Sequence, residues 1–258
     1  MQSLTDVEHA ILRAIRTNGI VELRRGAGAA EVITTFMPDQ KHVSPYEFME
    51  STSALIARRL VFLEFSQPDS TYWSLRMADR GYRAIDDQDI SPDDPRGYMQ
   101  RLLSACPDTS EEITFYLTEA LRAYEGGAYA ASTVMVGVAA EQCFYEVADA
   151  FVGFLEGDAR QKFSDILNNV KSFYVFKMEE FQKRLMAAKG HLRADLADSL
   201  ETQVIAAMHL IRANRNDAGH PTKILVDEFT AYTNIAIYWR LHQKLYSLKT
   251  FFVENKKD

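Results

Sequence analysis

The stretch "RNDAGHP", Arg215 to Pro221, ends a long helical pattern with an arginine, an asparagine and a histidine close together. A helix that only had to stop could do so with Gly219 and Pro221, because glycine tolerates the turn at a helix end and proline cannot continue the ladder. A permanent cation beside a side chain that titrates near neutrality makes that stop a candidate site. Upstream, Val204, Met208, Ile211 and Arg215 form one row at helical spacing, and Ile205, His209, Arg212 and Asn216 form the next. Both rows turn from apolar to polar, so the helix is expected to bury its start and present polar groups at its end. Arg215 and His220 are five apart, roughly 140° around a regular helix, so they converge only across a break. Gly219 is the expected break, and Asn216 is placed to orient the imidazole of His220.

A complementary helix is expected over residues 129–155. There Val134, Val138, Glu141, Tyr145, Ala148 and Val152 read as a buried row, with Ala139 and Ala140 small enough for close approach. A carboxylate in such a row needs a cation, and Arg212 or Arg215 would supply one. The Arg-to-His spacing is weak by itself: with 18 arginines and six histidines in 258 residues, chance gives about 0.4 matches per chain. The plain alternative is a helix C-terminus where cations meet the helix dipole. His209 reads as a packed or rim histidine, and His9, His42, His191 and His242 as surface residues.

Composition sets the frame for that site. A chain that is 47% hydrophobic and 25% charged has the make-up of a soluble globular protein. No apolar run is long enough to span a membrane, and the first residues lack the uninterrupted apolar core of a signal peptide. A cytoplasmic location is therefore expected, with Cys106 and Cys143 as reduced thiols. The net charge of −7 argues against a surface that coats nucleic acid broadly, although residues 1–85 are balanced and the acidic excess lies beyond them. No cofactor motif or metal-ligand cluster is evident, so neither is expected.

The acidic, proline-containing run "DDQDISPDDPRGY", Asp86 to Tyr98, reads as the domain boundary. The expected division is residues 1–86, a linker over 87–108, and a helical bundle over 109–258. In the first part a helical pattern over Leu4–Ile15 is followed by a short helix near Ala29–Phe36. A third helix starts with Ser44 as cap, Pro45 at the first position and Glu47 three after the cap. "LVFLEF" and "TYWSLRM" then read as a two-stranded hairpin. This order resembles the winged helix-turn-helix superfamily, which makes the Ser44–Arg59 helix a recognition helix. Arg58 and Arg59 are then candidate phosphate contacts, and Glu47 and Glu50 count against DNA. Arg24 and Arg25 read as a solvated pair. After the boundary, helices are expected at about Ser110–Glu125, Tyr129–Leu155, Asp158–Asn168, Phe173–Ala188, Ala194–Asn216 and Val226–Val253.

Residues 109–253 resemble a HEPN domain (higher eukaryotes and prokaryotes nucleotide-binding). Arg215, Asn216 and His220 match its Arg-x4-His signature, in which Asn commonly follows the Arg, with Gly219 and Pro221 around the histidine. "EGGAYAASTVMVGVAAEQ", Glu125 to Gln142, is similar to its Gly-Tyr turn and alanine-rich second helix. The fold class so implied is mainly α: a winged helix with a small hairpin, then an all-α HEPN bundle. The resemblance implies a homodimer that brings two Arg/His pairs into one cleft, and RNA as substrate, cut without a metal. Arg215 is the expected phosphate and transition-state stabiliser and His220 the proton-transfer group. Asn216 would orient, with Glu141 and Arg212 in support. Bacterial proteins of this kind serve in phage defence or toxin–antitoxin systems, which implies an antitoxin or regulatory partner. The competing expectation is a DNA-binding regulator or interaction module whose bundle only dimerises.

Overall fold

The computed structural model describes residues 4–23, 28–65, 73–86, 91–198, 200–220 and 225–257. It forms two compact units, Met1–Arg101 and Leu102–Asp258, and is mainly helical with one small sheet. Arg24, Arg25, Pro221 and the turn between the two expected strands lie outside the described residues.

In the first unit, α1 (Asp6–Asn18) starts from a capping box in which Thr5 and Glu8 satisfy each other's backbone N–H groups. The next elements are β1 (Val21–Leu23), α2 (Gly28–Thr34) and α3 (Pro45–Ala57). Ser44 caps α3 as its spacing predicts: its hydroxyl accepts from the Glu47 N–H at 3.2 Å, and the Glu47 carboxylate accepts from the Ser44 N–H at 2.9 Å. Strands β2 (Val61–Phe65) and β3 (Trp73–Met77) then lead into α4 (Asp79–Asp86). The core joins Ile11, Leu12 and Ile15 of α1 to Ile33, Phe48, Leu55 and Leu75. The sheet has three strands, not the expected two, in the antiparallel order β1-β3-β2; Leu75 faces Val21 on one side and Leu63 on the other. Three residues are too few to show alternation, and the partner of β1 lies far along the chain, so local pattern could not reveal it.

The expected linker is also corrected. It contains α5 (Pro95–Ala105), inside which the boundary between the units falls. The carboxylate of Asp94 accepts from the Gly97 N–H at 3.3 Å, as a helix-capping residue does. Asp93 accepts from Arg80 at 2.9 Å and from Arg83 at 3.3 Å. These acids are structural acceptors and not a solvated tether.

In the second unit the order is α6 (Glu111–Glu125), α7 (Tyr129–Phe154), α8 (Gly157–Asn168), α9 (Tyr174–Ala187), α10 (Ala194–Ala197), α11 (Ala206–Gly219) and α12 (Glu228–Glu254). Helix α7 packs against α6, α11 and α12. The α8–α9 hairpin joins through aromatic edges: the Phe181 ring lies 5.5 Å from both Phe144 and Phe151, and Phe163 lies 5.9 Å from Phe151. The single helix expected over Ala194–Asn216 is interrupted, with π-helical turns at Leu200–Ile205 before α11. The buried row of α7 is Val136, Ala139, Ala140, Cys143, Val147 and Phe151, so Glu141 is half-buried and Tyr145 is exposed.

His242, expected at the surface, is fully inside α12's packed face. The Thr109 hydroxyl donates to the Cys106 carbonyl at 2.7 Å, so the 2.9 Å contact with His242 is Nε2–H donating to Thr109. Nδ1 is then the acceptor for the Tyr238 hydroxyl at 3.3 Å and the Cys143 thiol at 3.5 Å. Burial pushes the imidazole down to about 4 from an ordinary 6.5, with the nearby Glu146 acting weakly the other way. The native state therefore binds fewer protons than the unfolded chain between those values, and stability falls as pH drops from 6.5 towards 4. The gap amounts to about 3 kcal/mol. Denaturant unfolding of the helical unit at a series of pH values should show that loss, and His242→Gln should remove most of it. An undiminished slope in the variant would assign the acid sensitivity elsewhere.

Candidate functional site

Helix α11 is fixed at its C-terminal half by a polar chain across three helices. The Asn214 side-chain N–H donates to the Asn234 oxygen at 2.6 Å, and the Asn234 N–H donates to the Thr133 hydroxyl at 3.3 Å. Asn234 is buried, so this chain sets the register of α11 on α7 and α12. Met208 and Ile211 fill the core below it. Arg212 and Arg215 lie on the flank that faces α7.

Gly137 is what lets Arg215 lie there. A Cβ built on Gly137 would sit 2.4 Å from Cγ and 2.6 Å from Cβ of Arg215, so the arginine stem crosses α7 where a side chain is missing. Further along the same crossing, Gly219 lies against Val134. Sequence reasoning credited Ala139 and Ala140 with the close approach and passed over Gly137. An isolated glycine inside an otherwise strong helical pattern was the available signal.

The two helices bound a small cleft of about 10 Å³, room for about one water, lined by Gly137, Glu141, Tyr174, Arg212 and Arg215 among others. A larger ligand would lie across its mouth and meet the lining side chains there. Arg215 approaches the Glu141 carboxylate at 3.6 Å, an ion pair too long for a direct hydrogen bond, and donates to the Asn216 side-chain oxygen at 3.3 Å. Both members of the pair are part-exposed. Burial raises the pKa of Glu141, and Arg215 and then Arg212 oppose the rise. The Nε of Arg212 is buried with no hydrogen-bond partner among the described residues. The cleft therefore holds two guanidinium groups against one half-satisfied carboxylate, an arrangement that favours an added anion.

Of the residues singled out from the sequence, the structure brings together Arg215, Asn216, Glu141 and Arg212. His220 lies just beyond them. Helix α11 runs through Gly219 and ends at His220, whose extended backbone caps it with an N–H bond to the Asn216 carbonyl at 3.0 Å. The break thus falls one residue later than expected. The imidazole is exposed and makes no hydrogen bond among the described residues; the Asn216 side chain serves Arg215 and not the histidine. His209 is at the rim as expected, 3.1 Å from the Gln182 amide.

Arg58 and Arg59 part company. Arg58 turns inward, donating to the Asp93 carbonyl at 2.9 Å and approaching the buried Glu8 at 3.7 Å. Its guanidinium is mostly buried against these groups, and so is turned away from the solvent side where a phosphate contact is expected. Arg59 is exposed, with a left-handed backbone at φ 58° that closes α3.

No family profile, curated protein or solved structure matches this chain. Fold and site together define a mainly helical protein with a small antiparallel sheet and an arginine-lined cleft between two helices of its second unit. Among the described residues no helix is long and apolar enough to cross a membrane.

Proposed function

We propose that the helical unit is an endoribonuclease of the HEPN type and that it cuts without a metal. The observation that carries this is the seating of Arg215 on Gly137, beside Glu141 and Arg212, one turn before an exposed histidine at the end of the same helix. In such a site the RNA's own 2′-hydroxyl attacks the adjacent phosphorus and the 5′-oxygen leaves. Arg215 and Arg212 stabilise the charge that gathers on the phosphoryl oxygens. Asn216 holds the guanidinium of Arg215, a role moved from the imidazole where sequence reasoning had placed it. His220 transfers the proton. One chain supplies one such histidine, so separate base and acid require a second copy, and the homodimer belongs to this proposal.

Incubation of the protein with single-stranded RNA in EDTA tests it. Products with 5′-hydroxyl and 2′,3′-cyclic phosphate ends are expected, and DNA of the same sequence should survive because it lacks the attacking group. Strict dependence on magnesium, or cutting of DNA, would sink the mechanism.

For the first unit we propose a winged helix used for protein contact, such as with an antitoxin or regulatory partner in a phage-defence or toxin–antitoxin setting. A specific observation favours this over DNA binding: α3 exposes Tyr46 and Met49 alongside the acidic Glu47 and Glu50, while Arg58 is turned inward. Arg58→Ala should therefore destabilise the fold by about 1–3 kcal/mol, since it strands the buried Glu8. It should leave retention on duplex DNA at low salt as weak as in the unaltered protein. Tight DNA binding that Arg58→Ala abolishes would reverse the assignment.

A further inference from the structure

Tyr174, at the start of α9, lines the same cleft as Arg212, Arg215 and Glu141, although no local pattern in the chain places it there. Its ring is held edge-on by two aromatics of α7, at 5.2 Å from Phe144 and 6.0 Å from Tyr145. The hydroxyl, by contrast, has no hydrogen-bond partner among the described residues, although Glu141 and Arg212 lie close enough to act on it electrostatically. Packing alone would be served as well by a phenylalanine. The same cleft holds the Nε of Arg212, buried and without a hydrogen-bond partner among the described residues, so its lining carries donor capacity that the fold itself does not use.

We propose that Tyr174 is a further substrate-binding residue, whose hydroxyl donates a hydrogen bond to a phosphate oxygen of single-stranded RNA held by Arg212 and Arg215. A phosphate suits the cleft's mouth because the lining sets two guanidinium groups and a hydroxyl against one carboxylate. Burial and the neighbouring Glu141 push the phenol pKa far up, so the hydroxyl remains a donor wherever the protein is folded. With its ring fixed by α7, the donor is aimed before the RNA arrives.

This rests on reading the cleft as an RNA site, and the experiment separates the two. Tyr174→Phe keeps the ring and removes only the hydroxyl. Three quantities are compared with the unaltered protein: thermal stability, kcat/KM on a short single-stranded RNA in EDTA, and Kd for the same oligonucleotide fully 2′-O-methylated, which cannot be cut. Stability should be unchanged or higher, because an unpaired polar group has been removed. Both kcat/KM and affinity for the methylated strand should fall about 10- to 100-fold, as for loss of a hydrogen bond to a charged group. If the unaltered protein cuts RNA and Tyr174→Phe matches it, the assignment of Tyr174 is overturned and the ribonuclease stands. If the unaltered protein binds the methylated strand but cuts nothing, the ribonuclease reading fails, and the change in Kd alone decides for or against Tyr174. If it does neither, both fall.

Discussion

Arg215→Ala should lower RNA cleavage by about 10²- to 10³-fold, the usual cost of losing one preorganised stabiliser of developing charge. His220→Ala should lower it by about 10²- to 10⁴-fold, the range for a lost proton-transfer group. Neither change should unfold the protein. The Arg215–Glu141 pair is 3.6 Å long and part-exposed on both sides, so it contributes at most about 1 kcal/mol. The imidazole of His220 is exposed and holds nothing together among the described residues. Arg215→Lys should rescue little, because an ammonium cannot reach Glu141, Asn216 and a phosphate with one planar fork. Asn216→Ala should cost less, about 10-fold, since Asn216 steadies the guanidinium through one hydrogen bond of 3.3 Å. If the site is shared between two copies, an equal mixture of Arg215→Ala and His220→Ala chains should recover part of the activity that each lacks alone. His220→Ala cutting as well as the unaltered protein would remove the histidine from the mechanism. Full activity in a strictly monomeric preparation would remove the second copy.

Sequence reasoning reached as far as local signals did. Ser44, Pro45 and Glu47 announce a helix start through side chains that meet within one turn, and the capping box is there. A carboxylate in a helix face needs a cation, Arg212 and Arg215 are the two candidates, and Arg215 is the one that meets Glu141. The register of α7 was misjudged because this long helix is apolar on most sides, so periodicity offers little contrast between its buried row and the neighbouring one. His242 was assigned outward by its chemistry, although its spacing from Ile235, Tyr238 and Leu245 places it on the packed face. Helix α5 was hidden by the acids around it, even though an Asp94–Pro95 pair is a helix-start signal. Tyr174 could not be found at all, because only tertiary packing of α9 brings it beside α7 and α11.

The strongest test of how the cleft is built leaves every charged group in place. Gly137→Ala adds one methyl group to α7. Elsewhere in a helix interior that change would favour folding by about 1 kcal/mol. Here the new carbon would sit 2.4 Å from Cγ and 2.6 Å from Cβ of Arg215. A different rotamer can move Cγ but not Cβ, which is fixed to the α11 backbone, so α11 itself has to slide or lift. Such overpacking costs about 1–3 kcal/mol, which outweighs the gain in helix propensity only modestly. The protein should stay folded, with a slightly lower melting temperature. Activity should suffer far more, because a displacement of about 1 Å in a positioned group can cost about 100-fold. Gly190→Ala is the matched control, since a Cβ there meets no atom within 4 Å and should change neither property. A folded Gly137→Ala protein with full ribonuclease activity would mean that Arg215 need not lie across α7. The cleft between α7 and α11 would then not be where the RNA is cut, whatever His220 does. A loss near 100-fold with the fold preserved would instead tie catalysis to this helix crossing, because every charged group is still present and only the seating of α11 on α7 has changed.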